Sequence, residues 1–232
     1  MSLDCPYANA SNPGAAYSAG MSGDPSPVRP RSRREEYSDA TRAALVASAG
    51  RLFADRGYTA TSLDDVAADA RVTKGALYHH FDGKKALFAA VFESLEVAAV
   101  RLIRAAAQSE DDLWAGALAA TRAYLAICAG EHGRLVVQEG PVALGWPTWH
   151  EHEERYGLGV TREIVQALVD AGEAPPLPVE MLARMVFGMH LAAAHAIVAA
   201  QDKQRAQDEA FEVIERVLGG LRDSSTGSGR GG

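Results

Sequence analysis

The residues best suited to chemistry lie between positions 59 and 88, where two short helical patterns of different character follow one another. In the first pattern, apolar residues recur at helical spacing behind Ser62, a residue type that caps helices, and two aspartates. The second opens at Thr73 and turns polar and small side chains outward around the apolar anchors Leu77 and Phe81. An exposed helix of this composition is typical of a surface that enters a DNA groove.

The outward side chains of the second helix carry groups that bind phosphate. The hydroxyls of Thr73 and Tyr78 can donate to phosphate oxygens, and the ammonium groups of Lys74 and Lys84 neutralise phosphate charge. Lys84 is also expected at the start of the next helix, where free backbone N–H groups attract anions. Gly75 lets the backbone approach bases or sugars closely. An alternative interpretation is a helical corner without any nucleic-acid partner.

The elements that position these side chains form a three-helix unit. Periodicity predicts a preceding helix over residues 40–56, because Leu45, Ala49 and Phe53 share one face, and Gly57 supplies its stop. A turn at 71–72 then joins the two short helices, which makes a helix-turn-helix.

The string from Gly57-Tyr58 through Tyr78-His79-His80-Phe81 to Lys84 resembles the DNA-binding domain of the TetR family of bacterial transcriptional regulators, over about residues 40–90. The resemblance implies an all-α homodimer whose amino-terminal three-helix helix-turn-helix domain is followed by a helical ligand-binding and dimerisation domain. It also implies repression of nearby genes that a small molecule relieves. By position, the family's DNA contacts fall on Thr61, Thr73, Lys74, Gly75, Tyr78, His79 and Lys84.

Two residues depart from the family pattern. Arg71 stands where the family usually has Gly in the turn, so a residue with a side chain is expected to adopt a positive φ there. Gly83 replaces a common Ser or Thr cap, so the start of the fourth helix is expected to fray.

A basic arm precedes the three-helix unit, with Arg29, Arg31, Arg33 and Arg34 among Pro and Ser residues. Such an arm can reach into a minor groove or along phosphates. A solvated charge run in a disordered tail is the equally open alternative.

The charge distribution supports a DNA-binding amino-terminal part. The formal net charge of the 232 residues is −7, which alone argues against nucleic-acid binding. Yet residues 29–85 hold 11 basic and 8 acidic residues, whereas residues 86–232 hold 12 basic and 20 acidic ones. This modest positive charge predicts that binding depends on two copies or on a specific surface arrangement.

Other bulk features indicate a cytoplasmic protein. The two cysteines, Cys5 and Cys128, offer no disulfide framework, and no signal peptide is evident. The apolar run 185–200 is short for a bilayer span, so a buried or interface helix is preferred. Residues 1–36 and 223–232 lack apolar content and are expected to be disordered.

The remaining sequence predicts a second, helical domain. Helices are expected over 84–107, 110–129, about 148–171 with an interruption near Gly157–Gly159, 179–201 and 204–221, and a helical segment from His132 ends at Glu139-Gly140-Pro141. The last two helices are those that the resemblance assigns to the dimer interface. The domain boundaries are therefore placed at 37–83 for DNA binding and 84–222 for ligand binding and dimerisation.

Aromatic, Met and hydroxyl residues of the second domain suit a small, mostly apolar effector. The candidate pocket residues are Trp114, Thr121, Tyr124, Trp146, Trp149, Tyr156, Met185 and Met189. A packed helical core without ligand would show the same stripe. Partners are therefore expected to be a near-palindromic double-stranded DNA operator, a second copy of the chain and this effector, with no cofactor.

Two other functions remain open at this stage. His150 and Glu154 lie four residues apart on one predicted helix face, but two ligands do not make a metal site. The group His150, His152, Glu153 and Glu154, together with His190, also suggests a small helical enzyme or a metal-responsive protein, although no nucleophile motif or phosphate loop accompanies it. The third possibility is a helical dimerisation module that does not bind DNA.

Overall fold

The computed structural model describes residues 32–226, and this part of the chain contains helices and no strand, which confirms the predicted all-α class. A π-helical turn, Leu135–Glu139, lies between the fifth and sixth helices. The α-helices are α1 (Arg33–Arg56), α2 (Leu63–Asp69), α3 (Lys74–His80), α4 (Lys84–Gln108), α5 (Leu113–Ala129), α6 (Gly140–Leu144), α7 (Trp146–Arg155), α8 (Gly157–Asp170), α9 (Val179–Ala199) and α10 (Lys203–Thr226).

The chain divides into two compact units within α4, between Val91 and Phe92. The sequence pattern placed this boundary at the start of α4, between Gly83 and Lys84. The first eight residues of α4 belong to the first unit, in which Leu87, Phe88 and Val91 are buried.

An aromatic cluster holds the first unit together. The ring of Phe53 in α1 lies 5.8 Å from that of Tyr58 and 5.4 Å from that of Phe88, and the rings of Tyr58 and Phe88 meet edge to face at 5.0 Å. Leu77 and Phe81 are buried as their spacing predicted. These anchors fix the orientation of α3, and with it the direction of the polar side chains on α3.

Helix α1 begins seven residues earlier than its apolar periodicity predicted. Ser32 caps it, accepting a hydrogen bond from the Glu35 N–H while the Glu35 carboxylate accepts one from the Ser32 N–H. Arg33 and Arg34 are therefore in the first helical turn, which corrects the expected irregular arm at these two residues. Arg29, Arg31 and most of the predicted 1–36 tail lie outside the described residues. At the other end, α10 continues through residue 226, so only 227–232 of the second predicted tail lie outside them.

Helix α9 is central to the second unit, where it packs against α5, α8 and α10. Its buried residues include Leu182, Ala183 and Val186, which join Leu158 and Val165 of α8 in one apolar cluster. By length and composition alone α9 is the one helix in the described range that is apolar enough to cross a membrane. Its packing within the unit fits the expected buried or interface helix.

The predicted helix end at Glu139-Gly140-Pro141 is wrong. The chain stays helical through this point because Pro141 lies in the first turn of α6, where no N–H is required. Gly140 is needed for packing, since an added Cβ would lie 2.5 Å from the Phe92 ring. The interruption predicted near Gly157–Gly159 occurs at Tyr156, between α7 and α8.

Candidate nucleic-acid interface

Local hydrogen bonds define the helix-turn-helix. Ser62 caps α2 through reciprocal hydrogen bonds with Asp65, and these bonds lower the pKa of the Asp65 carboxyl. The Thr73 hydroxyl accepts a 3.1 Å bond from the Ala76 N–H at the start of α3. Both caps confirm the sequence prediction, and they fix where α2 and α3 begin.

The turn between α2 and α3 is a Schellman motif with an arginine in the left-handed position. The N–H of Val72 donates to the Ala67 carbonyl, that of Arg71 donates to the Ala68 carbonyl, and Arg71 has φ +56°. The expected positive φ at Arg71 is thus confirmed. Gly83, before α4, has φ +110°, a region that Ser and Thr rarely adopt, and its carbonyl accepts from the Leu87 N–H.

The exposed face of α3 presents the predicted groups together. Thr73, Lys74, Gly75 and His79 are exposed, and the Tyr78 side chain is 50 % exposed. Lys74 Nζ lies 2.7 Å from an Asp64 carboxylate oxygen, and this hydrogen bond raises the pKa of Lys74. Because the pair is exposed, another hydrogen-bond acceptor can replace the aspartate at small cost.

Lys84 is held at the edge of this face by two contacts. Its Nζ donates a 3.1 Å hydrogen bond to the Thr59 carbonyl and lies 4.5 Å from the centre of the Tyr58 ring. The ammonium group is therefore pre-positioned beside the turn that precedes α2.

Thr61 does not belong to the exposed set. Its side chain is buried, and its hydroxyl bonds at 2.9 Å to the Gly57 carbonyl and at 3.1 Å to the Leu52 carbonyl. This corrects the expectation that Thr61 contacts DNA, because the hydroxyl is already used to tie the end of α1 to the start of α2. His80 is partly buried, and burial lowers its pKa, as suits a structural role.

The eight residues predicted to line an effector pocket do not form one group. Trp146 and Met185 are 64 % and 69 % exposed, so these two side chains do not line the interior of the second unit. Trp114 is partly buried, and the Arg222 guanidinium lies 5.2 Å from the centre of its ring. The residues that do reach the interior are Thr121, Tyr124, Trp149, Tyr156 and Met189.

Two of these interior residues surround a buried histidine. The Thr121 hydroxyl is 3.1 Å from His190 Nε2, and the Tyr124 ring meets the His190 ring edge to face at 5.5 Å. Burial lowers the pKa of His190 to about 4, so its imidazole is neutral at pH 7. His190 is therefore a neutral, packed residue, unlike the acid or base that the predicted enzyme alternative requires.

The structure brings together part of the predicted metal or enzyme cluster: His150 lies 3.7 Å from Glu153 Oε2 and 3.8 Å from Glu154 Oε1. Glu154 forms a bidentate pair with Arg184, at 2.5 and 3.2 Å, whereas His150 is half exposed and stacks on Trp146. Within residues 32–226, no three His, Cys, Asp or Glu side chains are placed to hold a metal ion.

Sequence reasoning missed one polar residue of the interior, Glu96. Its side chain is 11 % exposed and lies beside His152, with Glu96 Oε2 and His152 Nδ1 3.9 Å apart. The spacing of the sequence indicated this burial, because Phe92 and Val100 lie four residues before and after Glu96 on the same helix face, and both are buried.

Comparisons with known proteins agree with this arrangement. Residues 45–91 match the family model described as bacterial regulatory proteins, tetR family, and residues 114–221 match the model described as tetracyclin repressor-like, C-terminal domain. A solved TetR-family transcriptional regulator from Pectobacterium atrosepticum is 32 % identical, with a TM-score of 0.71, and the alignment covers 83 % of this chain and 98 % of that one.

Two curated relatives extend the comparison. The Tn10 TetC protein of Escherichia coli is 29 % identical over 168 residues, which are 70 % of this chain and 83 % of that protein. The negative transcriptional regulator IcaR of the icaADBC biofilm operon in Staphylococcus aureus is 41 % identical over 44 residues, 19 % of this chain and 24 % of its own.

Proposed function

This chain belongs to the TetR family of bacterial transcriptional regulators, and we propose that it is a cytoplasmic, homodimeric repressor of nearby genes that a small molecule releases from its operator. The observation that carries the proposal is the exposed polar face of α3, anchored by Leu77 and Phe81 and flanked by Lys84. Repression is supported by the relative that is described as a negative regulator. The relative IcaR and the solved Pectobacterium atrosepticum protein are both described as transcriptional regulators, which supports a regulatory rather than an enzymatic role.

The DNA-contacting residues divide into two classes by their chemistry. Tyr78, Thr73 and Lys84 bind phosphate, because hydroxyl and ammonium groups at the edges of the helix reach the backbone. Lys74 and His79 are exposed and read base edges, and Lys74 exchanges its pair with Asp64 for this contact. Packing within the protein does not require glycine at position 75, because an added Cβ would lie 3.9 Å from the Thr73 hydroxyl, an ordinary contact. Gly75 therefore supports close approach of the α3 backbone to DNA.

The dimer is proposed to form through α9 and α10. Each helix exposes two large apolar side chains one turn apart: Met181 and Met185 on α9, at 59 % and 69 %, and Val213 and Val217 on α10, at 60 % and 51 %. Such faces on a soluble chain are typical of interaction surfaces. A twofold dimer would place two α3 helices about 34–36 Å apart, one turn of DNA, which requires a near-palindromic operator.

Release is proposed to follow from a shift between two populations. The effector binds the second unit, and it weakens DNA binding only to the extent that it binds the DNA-incompetent state more tightly. Helix α4 belongs to both units, and so provides a covalent path for the coupling.

A gel-shift or fluorescence assay on the promoter region next to this gene tests the proposal. Specific binding to that region, with weaker binding to a scrambled duplex of equal length and salt, is expected. Equal affinity for both duplexes would reject sequence-specific regulation. Replacing Tyr78 by Phe should weaken binding to all sequences, whereas replacing His79 by Ala should change base preference. Identical effects of the two variants would reject the proposed division of contacts.

A further inference from the structure

An acid of α4 and an imidazole of α7 face each other inside the second unit without a hydrogen-bond partner from the chain. Glu96 Oε2 and His152 Nδ1 are both buried, and neither has a hydrogen-bond partner within residues 32–226. Their separation of 3.9 Å is too long for a direct hydrogen bond. Because unpaired polar atoms are costly to bury, a molecule that donates hydrogen bonds to both atoms would relieve this cost.

The surroundings of this pair are aromatic. The His152 ring meets the Phe92 ring edge to face at 5.2 Å and stacks on the Tyr156 ring at 5.8 Å. Trp149, one turn earlier on α7, is 5 % exposed. An apolar, flat molecule would therefore find a compatible wall on at least one side of the two polar atoms.

The charges around the pair favour a cation. Burial raises the pKa of Glu96 to about 8 and that of Glu153 to about 7, and a bound cation would stabilise the ionised form of both carboxyls. Burial also lowers the pKa of His152, so its Nδ1 can accept a hydrogen bond at neutral pH. The other titratable and charged groups that act on these three are Glu93, Tyr124, His150, Glu151, Glu154 and Arg155.

We propose that Glu96 and His152 bind the nitrogen of a protonated primary or secondary amine whose aromatic body lies against Phe92 and Tyr156, and that amines of this class are the effectors. A single nitrogen can lie about 2.8–3.0 Å from two acceptors that are 3.9 Å apart, and an ammonium group supplies the two N–H donors this requires. The Glu96 carboxyl releases its proton to solvent when the ammonium ion binds. The effector role rests on the proposed repressor function, whereas amine binding itself does not.

Calorimetric titration of the full chain with matched probes tests the inference. The probes are benzylamine, 1-naphthylmethylamine and 4-phenylbenzylamine, each compared with the alcohol of the same carbon skeleton at pH 8. At least one amine should bind tighter than its alcohol by about tenfold or more. Glu96→Gln should remove this preference and leave the affinity for the alcohol nearly unchanged. Glu163→Gln is the matched control, because that carboxylate on α8 is exposed and pairs with Arg104.

Each result decides the matter. If no amine binds, if every alcohol binds as tightly as its amine, or if folded Glu96→Gln keeps the preference, the inference is overturned. Addition of the best amine to the DNA complex then separates the two proposals. If the amine binds but does not release DNA, amines are rejected as effectors, whereas the amine site is retained. If the protein binds DNA specifically but binds no amine, the amine site is rejected, whereas the proposed repressor function is retained.

Discussion

The Nζ atom of Lys84 lies 4.5 Å from the centre of the Tyr58 ring, so the first residue of α4 contacts the turn that follows α1. The Tyr58 ring in turn packs against Phe53 and Phe88 in the core of the first unit. The position of this surface ammonium group is therefore set by the same aromatic cluster that sets the helix orientation. A lysine held in this way loses less conformational freedom when it binds phosphate.

Lys84→Met is expected to weaken DNA binding equally for all sequences. The methionine keeps an unbranched side chain over Tyr58 but removes the charge. Because each dimer carries two copies, the slope of log K against log salt should become less steep by about 2. Lys203→Met, which changes the same charge at the start of α10, is the control. An unchanged slope for Lys84→Met would show that Lys84 does not contact phosphate.

Thr61→Val is expected to destabilise the first unit without changing how the protein reads DNA. The substitution removes the hydroxyl that bonds to the Gly57 and Leu52 carbonyls, at a cost of about 1–2 kcal/mol in the free energy of unfolding. Thr61→Ser keeps the hydroxyl and should lose less. Denaturant unfolding and the salt slope of DNA binding are the two measurements. A changed slope with unchanged stability would instead return Thr61 to the DNA-contacting set.

Arg71→Gly is expected to raise the free energy of unfolding by about 0.5–1 kcal/mol, because glycine adopts a φ of +56° without a steric cost. Arg71→Ala removes the same charge but keeps the Cβ, so it should give no such gain.

The end of α8 offers a comparison within the same chain. There Gly172 occupies the equivalent position of a Schellman motif, with φ +74°. Gly172→Ala should lower the free energy of unfolding by about 1 kcal/mol. If Arg71→Gly and Arg71→Ala proved equally stable, strain at Arg71 would not be the explanation.

The elements that sequence predicted well are those whose signals are local. The caps Ser62 and Thr73 act on residues within one turn, and the anchors Leu77 and Phe81 follow from spacing alone. The early start of α1 was also readable, because Ser32 and Glu35 form a Ser-x-x-Glu capping box. That signal was missed because the apolar periodicity of α1 begins later.

The features that sequence could not supply depend on contacts between distant segments. Gly140 looked like a helix end, yet it is required where the chain packs against the Phe92 ring, 48 residues away. The burial of Thr61 depends on carbonyls of α1 and of the turn, and the pairing of Glu96 with His152 depends on α7 packing against α4. Periodicity reports which face of a helix is buried, but not what it is buried against.

The contribution of Glu96 and Glu153 to the stability of the protein is expected to fall as pH rises from about 5 to 8. The pKa of Glu96 is raised from its ordinary 4.5 to about 8, and that of Glu153 to about 7, so in this window the folded chain holds protons that the unfolded chain has released. Because the folded state binds more protons at these two carboxyls, their contribution to the free energy of unfolding decreases with pH. The lowered pKa values of the four buried or partly buried histidines, His80, His132, His152 and His190, act in the opposite direction below about pH 6.5.

Glu96→Gln should flatten this dependence and raise stability at pH 8 by about 2–4 kcal/mol, because the amide is neutral at every pH. Urea unfolding at pH 5.5 and pH 8 measures both effects, with the exposed Glu163→Gln as control. If the difference in stability between Glu96→Gln and the unmodified protein did not grow from pH 5.5 to pH 8, the raised pKa of Glu96 would be contradicted.

Val217→Glu is expected to give a monomer that no longer binds its operator. Val217 is 51 % exposed on α10, one turn from the exposed Val213, so the carboxylate would be buried without a partner wherever this face meets its mate. Val142→Glu is the matched control, because Val142 on α6 is 82 % exposed and lies outside the α9–α10 face. Light scattering measures the mass, and gel shift measures binding at a concentration that saturates the unmodified protein. In a twofold contact through α10 each introduced charge is present twice, so its cost to the dimer is doubled. A Val217→Glu variant that stays dimeric and binds its operator normally would therefore place the interface elsewhere.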